Sequence, residues 1–290
     1  MQLLVHIGLH KTGSTYLQYL LNGNHAALAR AGFWYAPQPG YPAHHHAAWR
    51  LLAGDGAPLA AMIADARQAG CHTLILSSED LEGALHDPRP LAAIAAAARE
   101  GGVDAVAWHV VLREAGAVFA SLFAQLQHHI YADSLQMFHD CLRRGHLFYD
   151  QPMPGEGTPY WYYSFDVARD LDRLAERLAA CGHRLVAHDF ADASPFPGWR
   201  LLPDAARAVL QALPDAGARN ARLPAEEVAG GYIARIFDIV PDEAGRQAIL
   251  NAFTTSLSAS LEGVAAYAPL VGQRFAASRQ RALATHGAAA

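Results

Sequence analysis

Residues 6–18, HIGLHKTGSTYLQ, bring glycines, hydroxyls, two histidines and a lysine into one short stretch. From Gly8 the run GLHKTGST has the length and glycine spacing of the phosphate-loop pattern GxxxxGK[ST]. Ser14, however, stands where that pattern has lysine, and Lys11 lies three residues earlier. Gly8 closes an apolar strand-like run and Ser14 opens a helical one, so the segment between them offers backbone N–H groups and the positive end of a helix dipole to an anion. Gly13 permits close approach, and Ser14 and Thr15 add hydroxyl donors. In a nucleoside-triphosphate loop the lysine beside the helix start reaches the outer phosphates and the Ser/Thr holds Mg²⁺. Lys11, in the middle of the loop, instead projects toward the far side of a bound phosphate, where a transferable group sits. The plain alternative is an ordinary glycine-containing turn. No apolar run ending in a metal-binding aspartate follows: the second strand-like run ends in Ser77-Ser78-Glu79-Asp80. A metal-free phosphate site is the expectation.

A second cationic group stands at Arg113, within HVVLREAGAVFASLFAQL (residues 109–126), where it closes a strand and precedes a helix carrying Ser121. A guanidinium forks onto phosphate oxygens bidentately and a hydroxyl adds a further donor. Taken alone, the pair is equally a surface arginine and a small packing residue. Two residues compete as a general base. Glu79 follows the second strand and so stands at the same sheet edge as the loop, though it is also placed to cap the next helix. His10 neighbours Lys11 and has an ordinary pKa near 6.5. His44, His45 and His46 resemble a metal tract, but consecutive side chains do not readily face one ion. Trp161, Tyr162 and Tyr163 either stack on a ring or anchor the helix that follows.

The elements that must position these groups follow from periodicity. Residues 3–8 (LLVHIG), 72–77 (HTLILS), 105–112 (AVAWHVVL) and 184–188 (RLVAH) are apolar at nearly every residue, the mark of parallel strands covered on both faces. Helical spacing occupies residues 14–31, 58–68, 90–99, 115–130 and 168–180, with Gly70, Gly101 and Gly182 as stops. Strand alternating with helix predicts a three-layer, doubly wound α/β fold with a mostly parallel sheet and a P-loop-like first βα turn. Residues 1–290 are expected as one domain, 1–190 forming the sheet core and 191–290 a mainly helical completion punctuated by Pro203, Pro214, Pro224, Pro241 and Pro269. Residues 37–46 and 151–159, rich in Pro, Gly, His and Tyr, read as binding loops.

Composition narrows the partners. A formal charge of −5 and a pI near 6.3 argue against a broad nucleic-acid surface, so any anion site is local. Cys71, Cys141 and Cys181 are odd in number and lack CxxC spacing, giving neither a disulfide framework nor a zinc site. With no apolar run of about 18 residues and no signal-peptide pattern at residues 1–9, a soluble cytoplasmic protein is expected.

HKTGSTYLQ resembles the 5′-phosphosulfate loop of sulfotransferases that use 3′-phosphoadenosine 5′-phosphosulfate (PAPS), and the Arg113 to Ser121 spacing is similar to that family's 3′-phosphate motif. The resemblance implies that Lys11 contacts the leaving phosphate and sulfuryl group, that Thr12, Gly13, Ser14 and Thr15 hold the 5′-phosphate, and that Arg113 and Ser121 hold the 3′-phosphate. It implies PAPS as co-substrate, 3′-phosphoadenosine 5′-phosphate (PAP) as product, no metal, and a hydroxyl acceptor on a carbohydrate, other small metabolite or lipid. RLVAHDFAD (184–192) is similar to the family's late strand, and ARNARLPAEEV (218–228) to the segment that closes over the nucleotide, although Arg222 departs from its pattern. A small-molecule kinase with a degenerate loop and a nucleotide-binding module without turnover remain open alternatives.

Overall fold

Runs that are apolar on both faces need cover on both sides, and the four found in the sequence supply four of the five strands of one parallel sheet. The computed structural model describes residues 1–38, 40–126, 133–150, 157–192, 195–210 and 242–287. In chain order these form β1 (Gln2–His6), α1 (Ser14–Gly23), α2 (His25–Arg30), β2 (Phe33–Trp34), α3 (His45–Leu52), α4 (Ala57–Gln68), β3 (Thr73–Ser77), a 3₁₀ turn (Glu79–Leu85), α5 (Arg89–Glu100), β4 (Ala105–Leu112), α6 (Ala115–Leu126), α7 (Ser134–Arg144), β5 (His146–Asp150), β6 (Tyr160–Ser164), α8 (Val167–Ala180) and β7 (Arg184–Asp189). A 3₁₀ turn (Trp199–Leu201), α9 (Asp204–Ala208) and α10 (Glu243–His286) complete them. The sheet order is β2-β3-β1-β4-β7 with every pair parallel, and β5 and β6 form a separate ribbon. The fold is α/β, with helices on both faces of the sheet.

The two-residue period of β1 divides the core. Leu3, Val5 and Ile7 pack with Leu74, Leu76, Trp108 and Val110 and with residues of α3, α4, α5 and α8. Leu4 faces the other way, with Ile75, Val111 and the α1 and α2 residues Leu17, Leu21 and Leu28. Toward the carboxyl ends of the strands this second face turns polar: His6, Ser77, His109 and His188 follow Leu4, Ile75, Ala107 and Val186 on their strands, and all four are buried. After β1 the chain winds to one side of it and, at β4, to the other, so a ligand crevice is expected at the carboxyl end of β1.

Several elements depart from the periodicity. The helix expected over residues 14–31 breaks at Gly23-Asn24, where the Asn24 side-chain amide takes the Leu20 carbonyl (2.9 Å). Short β2, the β5–β6 ribbon and α7 carry no long apolar run, and α3 begins inside the segment read as loop. Pro269 removes one amide donor yet lies inside α10 instead of ending a helix. The segment 218–228, and with it Asn220 and Arg222, lies outside the described residues, as does part of 151–159.

Where the sequence reads as one domain, the chain clusters into two compact units: Met1–Arg113 with Leu147–Arg219 and Ala277–Ala290, and Glu114–His146 with Asn220–Ala276. In the first, the end of α10 is fastened to the sheet by Arg279, which pairs with Asp189 and reaches the Leu112 carbonyl (3.4 Å), and to the start of α8 by Ser278, which donates to Asp166 (2.6 Å). In the second, Glu114 caps α6 by accepting from the Gly116 and Ala117 amides (2.8 and 2.7 Å), and Phe138 stacks on Tyr267 with centroids 4.6 Å apart.

The polar face predicts acid sensitivity. Burial pushes His6 and His109 down to about 3 and His44 and His188 to about 4, from an ordinary 6.5. The unfolded chain therefore binds protons that the folded chain refuses as pH falls below 6.5. Each such group removes roughly 1.4 kcal/mol of stability per pH unit until its folded pKa is reached. Urea unfolding should show a steep loss between pH 6.5 and 5, above the range in which carboxylates titrate, and His109→Gln should flatten it.

Candidate functional site

The phosphate-loop candidate is built as a backbone device. Gly8 and Gly13 take the left-handed region at φ 87 and 86, and Lys11 joins them at φ 65, a conformation that costs a non-glycine residue about 1 kcal/mol or more. Three contacts hold it there: the Thr12 hydroxyl donates to the Leu9 carbonyl (2.6 Å), the Arg113 guanidinium donates to the Lys11 carbonyl (2.7 Å), and the Gly8 carbonyl accepts from the Val111 amide (3.0 Å). Arg113 is itself seated over the Phe190 ring, 4.8 Å from the centroid. Gly13 then starts α1 with no side-chain cap and no acidic residue in the first turn. The helix N-terminus is thus left for an external anion. Ser14, only 7% exposed, has a buried Oγ with no hydrogen-bond partner, and Thr15 Oγ1 lies 3.5 Å from the Tyr41 hydroxyl.

The 3₁₀ turn after β3 approaches this loop closely. A Cβ on Gly8 would lie 2.7 Å from the Glu79 Cα, so only glycine lets the strand end rest against that turn. Ser78 performs the capping, its Oγ accepting from the Asp80 amide (3.3 Å), which leaves the Glu79 side chain to another partner. Gln18, wholly buried on α1, donates from Nε2 to Glu79 Oε2 (2.7 Å). Lys11 is half-buried beside both charges: burial lowers its pKa, Glu79 opposes that, and Arg113 lowers it further.

His10 occupies a different position from that expected of a base. Its Nδ1 lies 2.8 Å from Glu82 Oε2, its backbone amide donates to the same oxygen (2.8 Å), and its Nε2 lies 3.4 Å from Asp80 Oδ1. Glu82, 2% exposed, also accepts from the Ser164 amide (2.6 Å). Asp80 receives His45 Nδ1 (2.9 Å) and the Trp49 indole N–H (2.6 Å). Burial alone would lower the His10 pKa, but the hydrogen bonds to Asp80 and Glu82 outweigh it and raise the value to about 10. The same pairing with His10 and His45 holds Asp80 well below the ordinary carboxylate range, against the upward push of burial. At neutral pH His10 is an imidazolium with both ring nitrogens engaged, and it has no basic nitrogen to offer a substrate.

Lys11, Thr12, Gly13, Ser14, Thr15, Glu79 and Arg113 all lie within the first unit around the end of β1. Ser121 is half-buried on α6 and belongs to the second unit. The consecutive histidines point three ways: His44 bridges the Ala36 carbonyl and the Ser77 amide, His45 serves Asp80, and His46 is exposed. Among the described residues no group of three or more His, Cys, Asp or Glu is placed to hold a metal ion, and no helix is long and apolar enough to cross a membrane. Tyr162 and Tyr163 are buried in β6, the first donating to Asp170 of α8 (2.8 Å) and so anchoring the helix that follows. Asp80, Glu82, His45 and Gln18 complete the arrangement; in the sequence His45 was weighed only as part of a histidine tract and the other three were given no role.

The His10 clamp has its own pH signature, opposite in sign to that of the neutral histidines. Because its folded pKa lies above 6.5, its contribution is full below 6.5 and is lost as pH rises through about 10. Wild-type stability should decline between pH 7 and 10, and in His10→Gln that decline should be smaller; thermal melts across this range measure it. Comparison with protein-family models, curated proteins and solved structures returns no match to this chain.

Proposed function

We propose that this chain transfers a sulfuryl group from PAPS to an acceptor hydroxyl and releases PAP. One observation carries the proposal: an uncapped helix start whose Ser14 hydroxyl is buried without a partner, next to a lysine held in the middle of the loop by Arg113. A 5′-phosphate at the start of α1 would satisfy Ser14 and the first-turn amides. With its helix-start position taken by serine, the loop has no lysine aimed at outer phosphates, and Lys11 meets the oxygen that bridges phosphorus and sulfur. As that S–O bond breaks, charge grows on the leaving phosphate and the Lys11 ammonium stabilises it.

The incoming hydroxyl must lose its proton as its oxygen bonds to sulfur. Glu79 supports this role better than His10, because its Oε1 takes no hydrogen bond among the described residues whereas both His10 nitrogens are engaged. The proton passes to Glu79, the sulfuryl group to the acceptor oxygen, and the electron pair of the broken bond to the phosphate. Arg113 braces the loop through the Lys11 carbonyl and, by the family resemblance, reaches the 3′-phosphate. The part of Ser121 rests on sequence spacing alone. Acceptors of the carbohydrate, small-metabolite or lipid class are chemically compatible.

Labelled PAPS tests the proposal directly. The wild-type protein should transfer label to an acceptor from an extract of its native host, and Glu79→Gln should bind PAP normally while transfer falls by roughly 10²-fold or more, the contribution expected of a general base. Unchanged turnover in Glu79→Gln removes the base assignment, and no transfer by wild type removes the activity.

A further inference from the structure

Gln18 ends the HKTGSTYLQ run, yet nothing in phosphate binding uses it: it lies on the second turn of α1, past the anion site, and is wholly buried. Burying a primary amide is costly unless its groups are hydrogen-bonded, and here the pairing is one-sided. Nε2 lies 2.7 Å from Glu79 Oε2 and 3.4 Å from Ser77 Oγ, while Oε1 has no partner. An ionised carboxylate only accepts, so turning the amide over would set oxygen against oxygen; the nitrogen must face Glu79.

Beneath the amide lies a second buried pair. Ser77 Oγ lies 2.8 Å from His6 Nδ1, and burial keeps His6 neutral, at about 3. Ser77 Oγ accepts from Gln18 and is hydrogen-bonded to His6 Nδ1, which supports the amide from below. Ser77 and His6 are register partners on adjacent strands and belong to the rigid sheet. Glu79, in contrast, begins a short 3₁₀ turn and keeps a half-exposed side chain.

We propose that Gln18 is the positioning residue of the reaction, a buried amide that ties Glu79 Oε2 to the sheet through Ser77 and His6 and so leaves Glu79 Oε1 turned toward the acceptor hydroxyl. The assignment rests on the sulfotransferase reading with Glu79 as base. It links the phosphate-binding helix to the base: the helix whose first turn grips the nucleotide carries, one turn later, the group that aims the carboxylate. A donor that orients a general base changes kcat and leaves nucleotide binding alone.

The test is a kinetic double-mutant cycle on the full-length protein with Gln18→Met, Glu79→Gln and the pair, in single-turnover assays with labelled PAPS. Gln18→Met should lower kcat by roughly ten- to hundred-fold, the equivalent of one hydrogen bond to a charged group, with KM for PAPS and the Kd of PAP unchanged. In the Glu79→Gln background the same substitution should cost less than about two-fold, since Gln18 acts through that carboxylate. Gln18→Asn retracts the amide by one methylene, keeps a polar group on α1, and should reproduce the kcat loss if the methionine variant does not fold. A rise in KM for PAPS with kcat retained makes Gln18 a packing residue of the loop and overturns the proposal, as does an equal loss in both backgrounds. Wild-type protein with no PAPS-dependent transfer overturns the underlying activity instead, and the role of Gln18 with it.

Discussion

A charge taken out of water must be matched at once, and the site depends on one such match: the His10 imidazolium between Asp80 and Glu82. Removing one member of a network of this kind strands the others and costs about 3–5 kcal/mol, far more than a surface pair is worth. That penalty makes the arrangement a constraint on geometry. Leu9 to Lys11 cannot shift without uncovering Glu82, and the 3₁₀ turn cannot shift without uncovering His10. The loop between β1 and α1 and the turn that carries Glu79 therefore move as one piece, and Trp49, His45 and the Ser164 amide extend the same bracing into α3 and β6.

The sheet beneath supplies the second constraint. Its α1 face is apolar at Leu4 and Ile75 and polar at His6, Ser77 and His109, so the layer directly under the loop is a buried patch of neutral histidines and a serine. Such a patch holds only while those histidines stay unprotonated, and His10 serves only while protonated. The two requirements oppose one another in pH, and both are met near neutrality.

Much of the framework was legible because strong periodicity has few solutions. Four continuous apolar runs separated by helical spacing admit little besides a parallel, doubly wound sheet, and the strands lie within two residues of where the pattern places them. The loop was legible from its glycine spacing, and the structure adds that Gly8 and Gly13 both take positive φ. What could not be read were interactions distant in sequence. Glu82 meets His10 across 72 positions and Glu79 meets Gln18 across 61, and no local pattern marks one acid of the run Glu79, Asp80, Glu82 as partner to a histidine and another as partner to an amide. His10 looked like a base because its neighbour is Lys11; its chemistry is decided instead by two carboxylates on the turn after β3. Short elements such as β2 escaped because two residues carry no period.

In the proposed function, Ser14 and Lys11 together set what the loop does. On the proposed reading, with serine at the helix start and the ammonium three residues upstream, the first turn would grip a phosphate that stays put, and the positive charge would lie over the bond beyond it. Isothermal titration with PAP and with ATP, each with and without Mg²⁺, tests that claim most directly. PAP should bind tightly with no dependence on Mg²⁺, and ATP more weakly under either condition. Tight, Mg²⁺-dependent binding of ATP with no binding of PAP would contradict the account.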